Sequence, residues 1–110
     1  MKKIAGLILC LAMVLTLAAP GLAQAAQPEF HIGIVTGSVS QSEDDRRGAE
    51  AFQALYGEEM VKLAIYPDNF TEELETTIQT IVNLSDDPLM KAIIVNQAIP
   101  GTAEAFRLVK

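Results

Sequence analysis

Residues 30–36 read FHIGIVT, a short run of apolar and β-branched residues closed by Gly37, and such a run indicates a buried strand. Two further runs resemble it: KLAIY at 62–66, extended backwards by Val61, and KAIIVN at 91–96. None of the three alternates cleanly between apolar and polar residues. Because continuous apolar strands are typical of a parallel sheet covered on both faces, the three runs predict such a sheet.

A helix is predicted between the first two runs, from Glu43 to Tyr56. Ser42 can cap its start, Asp45 completes a capping-box-like pair, and Gly57 is a natural stop. Its apolar residues recur at three- and four-residue spacing, which places them on one face. They are Ala49, Phe52, Leu55 and Tyr56.

A second helix is predicted over residues 72–84, with Thr71 as its cap. A third begins near Thr102, with Phe106 and Val109 on its inner side. Strands and helices therefore alternate as βαβαβα, and this order indicates an α/β fold with about three parallel strands and flanking helices. Three strands are few for this architecture, so we expect residues 30–110 to be a partial α/β lobe, incomplete at its C-terminus.

The first 25 residues have the pattern of an export signal. Lys2 and Lys3 precede the uncharged apolar run 4–19, and residues 23–25 (AQA) offer a small-x-small cleavage site. Cleavage near Ala25 predicts a periplasmic or secreted protein; an uncleaved anchor is the alternative. Either way the folded part lies outside the cytoplasm, which excludes DNA-binding regulators, kinases and most cofactor-recycling enzymes. A flexible leader is expected at 26–29.

The charge of the exported part is strongly acidic. Lys2 and Lys3 leave with the signal, so six basic residues remain against 14 acidic ones and the net charge is −8. Nucleic acid is therefore not an expected partner, because phosphate binding needs clustered Lys or Arg. The single cysteine, Cys10, also lies in the signal, which leaves no thiol, disulfide or cysteine metal site.

Candidate ligand-binding residues follow the predicted strands, because ligands of open parallel sheets sit at the carboxyl ends of the strands. Ser38, Ser40 and Gln41 occupy the loop after the first run and lead into a helix N-terminus. Turn and cap hydrogen bonds are their alternative role, and we favour that role for Ser42.

Two further pairs complete the candidate set. Asn96 and Gln97 end the third run with two amides that suit a neutral polar solute, or that anchor the loop. Tyr66 and Phe70 could stack on a flat ring or a sugar face, although aromatic residues at such positions are more often core.

Residues for catalysis, cofactors or metals are not found. His31 stands alone in a strand, without a partner that would suggest a triad or a metal site. The segment GIVTG at 33–37 lacks dinucleotide-binding spacing, Asp44 and Asp45 lie inside the first helix, and Asp86-Asp87 fits a solvated turn. We therefore expect no metal, no cofactor and no enzyme activity.

HIGIVTGSVSQSEDDRRGAEAF at 31–52 and KAIIVNQAIPGTAEAF at 91–106 resemble an uncharacterised bacterial family, a domain of unknown function with a type I periplasmic-binding-protein-like fold. The resemblance implies two α/β lobes joined by a hinge, with ligand in the cleft between them. These residues would supply the first half of the N-terminal lobe. By position, Ser38, Ser40, Gln41 and Asn96 would then face the cleft.

The resulting hypothesis is an extracytoplasmic solute-binding-type protein. It would capture a small polar molecule, such as a sugar or nucleoside, and pass it to a membrane permease or sensor. An exported α/β enzyme whose catalytic residues lie in a missing C-terminal part is the alternative, and a truncated gene product without function is a third.

Overall fold

Strands and helices alternate along residues 26–109, the part of the chain that the computed structural model describes. The strands are β1 (His31–Thr36), β2 (Val61–Ile65) and β3 (Met90–Val95). The helices are α1 (Glu43–Tyr56), α2 (Leu74–Ser85) and α3 (Thr102–Leu108). None of these helices is long and apolar enough to cross a membrane. The predicted βαβαβα order is confirmed, and the predicted export signal lies outside the described residues.

The sheet is parallel, as predicted, and its strand order is β2-β1-β3. Ile34 in the central strand is in register with Leu63 of β2 and Ile94 of β3. The chain thus moves from β1 to one side and then crosses back over β1 to reach the other side. The strand order reverses between β1 and β3, and this is the topological switch point of the sheet.

One face of the sheet is covered by α2 and α3. Its buried cluster consists of Val35, Tyr66, Ile81, Ile99 and Ala105. Val35, Ile81 and Ala105 are fully buried. This face therefore holds the larger part of the core.

Among residues 26–109, the other face is covered only in part, by α1. Ala49 of α1 packs with Ile34 and Val61 in a smaller buried cluster. The same face of β3 is open, since Ile94 is 50% exposed and Phe52 of α1 is 36% exposed. The predicted apolar face of α1 is thus buried at Ala49 and mostly exposed at the other positions.

The helix ends match the sequence predictions in part. Gly57 ends α1 with a φ of 94°, a conformation that glycine adopts most readily. Ser42 is the N-cap, but its hydroxyl bonds the Asp45 carboxylate and no backbone N–H. The predicted cap Thr71 is wrong: residues 69–72 form a turn closed on the Asn69 carbonyl, and α2 is capped at Glu73.

In α3 the inward residue is Ala105. The predicted inner residue Phe106 is 44% exposed, because the next position along a helix lies about 100° further round its axis. Val109 packs against the core as predicted, although it follows the last helical residue.

Candidate functional site

The loops that follow the three strands meet at one edge of the sheet. Backbone pairing continues beyond the strands there: the Tyr66 N–H donates to the Thr36 carbonyl at 3.0 Å, and the Asn96 N–H donates to the Val35 carbonyl at 3.0 Å. The residues that follow β2 and β3 are therefore held beside the end of β1. This edge contains the switch point, where open α/β sheets bind their ligands.

The loop after β1 folds back into α1. The Ser38 carbonyl accepts the N–H groups of Gln41 and Ser42 at 3.1 and 2.9 Å. This turn leaves the Ser38 and Ser40 side chains on the side of the neighbouring loop, which follows β2.

Asp68 joins these two loops. Its carboxylate accepts the Ser38 hydroxyl at 2.5 Å and the Ser40 hydroxyl at 3.1 Å, and the two hydroxyls lie 2.7 Å apart. Gln41 Nε2 donates to the Asp68 carbonyl at 2.8 Å. Three of the predicted residues are therefore brought together, in a cluster built on one carboxylate. We call Ser38, Ser40, Gln41 and Asp68 the loop cluster.

Tyr66 and Gln97 connect the loop cluster to β3. The Tyr66 hydroxyl donates to Gln97 Oε1 at 2.9 Å. A Cβ at Gly37 would lie 2.9 Å from this hydroxyl and 3.0 Å from the Gln41 Cβ. Only glycine therefore fits at this point, and the Tyr66 hydroxyl lies close beside the loop after β1. Burial raises the pKa of Tyr66, and the negative charge of Asp45 raises it further. The phenol therefore remains a hydrogen-bond donor at neutral pH.

The Tyr66 ring belongs to the core. Tyr66 is 1% exposed, and its ring meets the Phe70 ring edge-on at a centroid distance of 5.7 Å. This burial favours the core role for the ring over stacking on a ligand. Only the hydroxyl reaches the edge, where it orients Gln97.

Each glutamine is held at one end of its amide. Gln97 accepts through Oε1, so its Nε2 is left as a donor; Gln41 donates through Nε2, so its Oε1 is left as an acceptor. Within residues 26–109, neither of these ends has another hydrogen-bond partner. Together they offer an NH₂ donor group and a carbonyl acceptor at the same edge of the sheet.

Asn96 does not belong to the loop cluster and lines a separate groove. The groove runs between α1 and the open face of β1 and β3, and its volume is about 330 Å³. Thr36 and Asn96 line its upper end, at the carboxyl ends of the two strands, together with Asp44 and Asp45 from the first turn of α1. We call this space the α1 groove.

Apolar residues line the lower part of the α1 groove. Ile34 and Ile94, register partners in β1 and β3, form the sheet side. Ala49 and Phe52 form the helix side, and Gly48 widens the space because nothing lies within 4 Å of the position of its absent Cβ. The groove is therefore apolar along its floor and acidic at its mouth.

Asp68 was not among the predicted site residues, and of the residues that line the α1 groove only Asn96 was predicted. Asp68 stands in the loop after the second predicted strand, and the rule that placed Ser38 at a strand end applies to it equally. Asp68 follows Ser38 by 30 residues and Ser40 by 28 residues, so its pairing with them depends on β2 lying beside β1. Strand order, which the apolar runs do not reveal, was the missing information.

His31 and Asp87 lie at the opposite edge of the sheet. His31 Nδ1 is 2.5 Å from an Asp87 carboxylate oxygen. This hydrogen bond lowers the pKa of Asp87. Asp86 and Asp87 lie in a turn, as expected, and the pairing of Asp87 with His31 is a contact that the sequence did not predict. The pair links the start of β1 to the turn before β3, away from the loop cluster.

A family model described as "Protein of unknown function (DUF3798)" matches residues 30–110. The chain belongs to this family. The match begins one residue before β1 and includes every strand and helix described above, so the DUF3798 domain contains both the loop cluster and the α1 groove.

A Treponema pallidum (strain Nichols) protein, described as an uncharacterized protein, is 35% identical over 91 residues. The match covers 77% of this chain and 41% of the relative, so the chain spans less than half of that protein's length. No solved structure matches the DUF3798 chain.

Proposed function

We propose that this DUF3798 protein binds a small polar solute outside the cytoplasm, for uptake or sensing. The observation that carries the proposal is the convergence of the loop cluster and Gln97, joined through Tyr66, at the switch point of a parallel sheet, whereas Asn96 lines the separate α1 groove. Polar side chains from three separate loops meet at the edge where this class of sheet binds ligands.

The contacts within the loop cluster support a binding role. Ser38 and Ser40 are held by Asp68, and Gln97 is held by Tyr66, so their geometry is set before a ligand arrives. Side chains that are already ordered lose less conformational entropy on binding, which favours affinity. Hydroxyl, amide and carboxylate groups in one place suit a solute with several hydrogen-bonding groups.

We further propose that residues 30–110 form the first half of an N-terminal lobe of the periplasmic-binding-protein type. The parallel order β2-β1-β3, with helices on both faces, supports this proposal. In such a protein a second lobe would close over the loop cluster and exclude water from the solute. A membrane permease or sensor would then recognise the closed form.

Binding can be tested on the exported protein with a panel of sugars, nucleosides and amino acids. A true ligand at one hundred times its Kd should raise the free energy of unfolding by about 2.7 kcal/mol, measured by thermal or urea denaturation. The variants Ser40→Ala and Gln97→Ala should weaken binding of that ligand. Thr76→Ala, at an exposed position of α2, is the matched control and should leave it unchanged. A panel without any stabilising compound would contradict the proposal.

Export is tested separately, by mass spectrometry of the protein recovered outside the cytoplasm. A product that begins near residue 26 supports a cleaved signal, and retention of residues 1–25 supports an anchor. Recovery in the cytoplasm alone would contradict the proposed location.

A further inference from the structure

The hydroxyl protons of the loop cluster are used within it. Ser38 donates to one carboxylate oxygen of Asp68 at 2.5 Å, and Ser40 donates to the other at 3.1 Å. The two serine oxygens also lie 2.7 Å apart, so any further sharing of these protons stays among the same three residues. A serine hydroxyl has one proton and two lone pairs, so both serines face a solute as acceptors.

Asp68 and Gln41 add further acceptors. A carboxylate has about four acceptor sites, and the two serines fill two of those on Asp68. Gln41 uses its Nε2 to donate to the Asp68 carbonyl, which leaves its Oε1 as an acceptor. The side chains of the loop cluster therefore offer a solute mainly acceptors, and the solute must supply most of the protons.

Positive charge is missing from this edge of the described chain. The three loops that meet here contain no lysine, arginine or histidine; they are residues 37–42, 66–73 and 96–101. Arg46 and Arg47, the basic residues that follow the first loop most closely, are bound to Glu50 and Glu43 of α1 itself. Proteins hold phosphate and carboxylate groups largely with Arg and Lys, so within residues 26–109 this edge lacks the side chains for an anion.

The start of α1 does not supply an anion site in their place. A helix N-terminus attracts negative charge, because its first N–H groups have no partners within the helix. In α1 the first turn already carries Glu43, Asp44 and Asp45. A further anion would meet these like charges, so the helix that follows the loop cluster adds to the exclusion of anions.

We propose that Asp68 determines the charge specificity of the solute site: the loop cluster binds the hydrogen-bond donor groups of an uncharged solute and excludes the same solute when it carries a phosphate or a carboxylate. A group that contacts Ser38 or Ser40 lies beside the carboxylate that both serines already bond. A solute hydroxyl there donates to Asp68, whereas an anion is repelled by it. The inference rests on the proposed function, because it states the charge of that function's solute.

Gln97 supplies a donor without supplying charge. The Tyr66 hydroxyl donates to Gln97 Oε1, so Nε2 is the group that Gln97 turns away from Tyr66. This amide suits a neutral oxygen of the solute, such as a carbonyl, an ether or a second hydroxyl. Donor groups at the loop cluster and an acceptor atom at Gln97 together describe an uncharged molecule that carries both.

The test compares each sugar and nucleoside of the panel with its phosphate monoester, such as ribose with ribose phosphate and adenosine with adenosine monophosphate. Calorimetric titration of the exported protein should show an uncharged solute binding about tenfold or more tightly than its phosphate ester, because the roughly two negative charges of the phosphate meet Asp68. The difference should shrink as the salt concentration rises, since salt screens exposed charges and leaves the size of the phosphate unchanged. A phosphate ester that binds as tightly as its parent compound would overturn the proposal.

Variants separate the charge of Asp68 from the size of the phosphate. Asp68→Asn keeps the shape of the side chain and removes its charge, so the phosphate ester should then bind within about threefold of its parent compound. Binding of the uncharged solute should weaken by about two- to tenfold, because a neutral acceptor forms a weaker hydrogen bond. Asp68→Glu keeps the charge and should keep the discrimination.

Glu72→Gln is the matched control. Glu72 is an exposed acid of the same loop, and its carboxylate accepts from Asn69 Nδ2 at 2.8 Å. Its replacement should leave the ratio of the two affinities unchanged. Equal effects of Asp68→Asn and Glu72→Gln would assign the discrimination to the overall acidity of the chain and overturn the role of Asp68, as would a ratio that Asp68→Asn does not change.

The outcomes also distinguish this inference from the proposed function. If an uncharged sugar or nucleoside binds and its phosphate ester is excluded through Asp68, both are supported. If the ligand found is a phosphate ester or an amino acid, the proposed function stands and the charge specificity is wrong. If no compound of the panel binds, both are wrong.

Discussion

The two faces of the sheet differ in how completely helices cover them. On the face under α2 and α3, Val35 and Ile81 are fully buried in one continuous cluster. On the face under α1, the cover within residues 26–109 ends at β1, and Ile94 is half exposed on the apolar floor of the α1 groove. One face therefore supplies most of the folding stability, and the other can present a binding surface at little cost to it.

The largest expected effect separates the two faces directly. Ile81→Ala should lower the free energy of unfolding by about 2–5 kcal/mol, because it leaves a cavity in a fully buried cluster. Ile94→Ala should cost about 1 kcal/mol or less, since half of that side chain is already in water. Urea denaturation of the two variants measures both values. Equal losses would show that the face under α1 is also covered in solution.

A smaller effect is expected from two glycines, one associated with each face. Gly101 has a φ of 92°, and a Cβ there would lie 2.9 Å from Leu74 Cδ1. Gly101→Ala should therefore cost about 1–3 kcal/mol. Gly48→Ala should instead stabilise α1 by about 0.5–1 kcal/mol, because an added Cβ meets open space.

The same denaturation assay checks the glycine pair. A Gly48→Ala variant less stable than the parent would mean that another element packs on α1 at this point. The comparison of the faces would then need revision.

The smallest effect concerns the His31–Asp87 pair, which lies outside both faces at the amino ends of the strands. The hydrogen bond from His31 is the main cause of the lowered pKa of Asp87, and the Leu89 N–H adds to it. A carboxyl whose pKa is lowered on folding stabilises the protein at pH values above its ordinary pKa, which is 3.8 for Asp87. This stabilisation is lost as the pH falls through the lowered pKa.

Asp87→Asn should accordingly reduce the urea midpoint at neutral pH, and the difference from the parent should shrink as the pH falls below about 4. The exposed neighbour is the control: Asp86→Asn should change the midpoint less. A difference that does not depend on pH between 2 and 7 would show that Asp87 acts through packing and not through its charge.

The sequence predicts local features of this fold well, since they depend on neighbouring residues. The bounds of α1 follow from its cap, its periodic apolar residues and Gly57, and each strand lies within one residue of an apolar run. The parallel sheet follows from the alternation of these elements.

Long-range pairing is what the sequence does not reveal. His31 and Asp87 are 56 residues apart, and Ser38 and Asp68 are 30 apart. Their contacts depend on which strands are neighbours. The loop cluster could therefore be placed at the correct edge of the sheet while its central carboxylate was missed, and the exposed face of β3 could not be inferred from its apolar residues.

The lysines on the two outer strands affect how copies of the molecule associate with one another. β2 and β3 each have one side without a partner strand within residues 26–109, and each carries one lysine, Lys62 or Lys91. The central β1 carries no lysine. A lysine on an outer strand discourages strand-to-strand joining between molecules, because joining would strip water from its ammonium group. A polypeptide of residues 26–110 should therefore resist fibrous aggregation for as long as these two charges are kept.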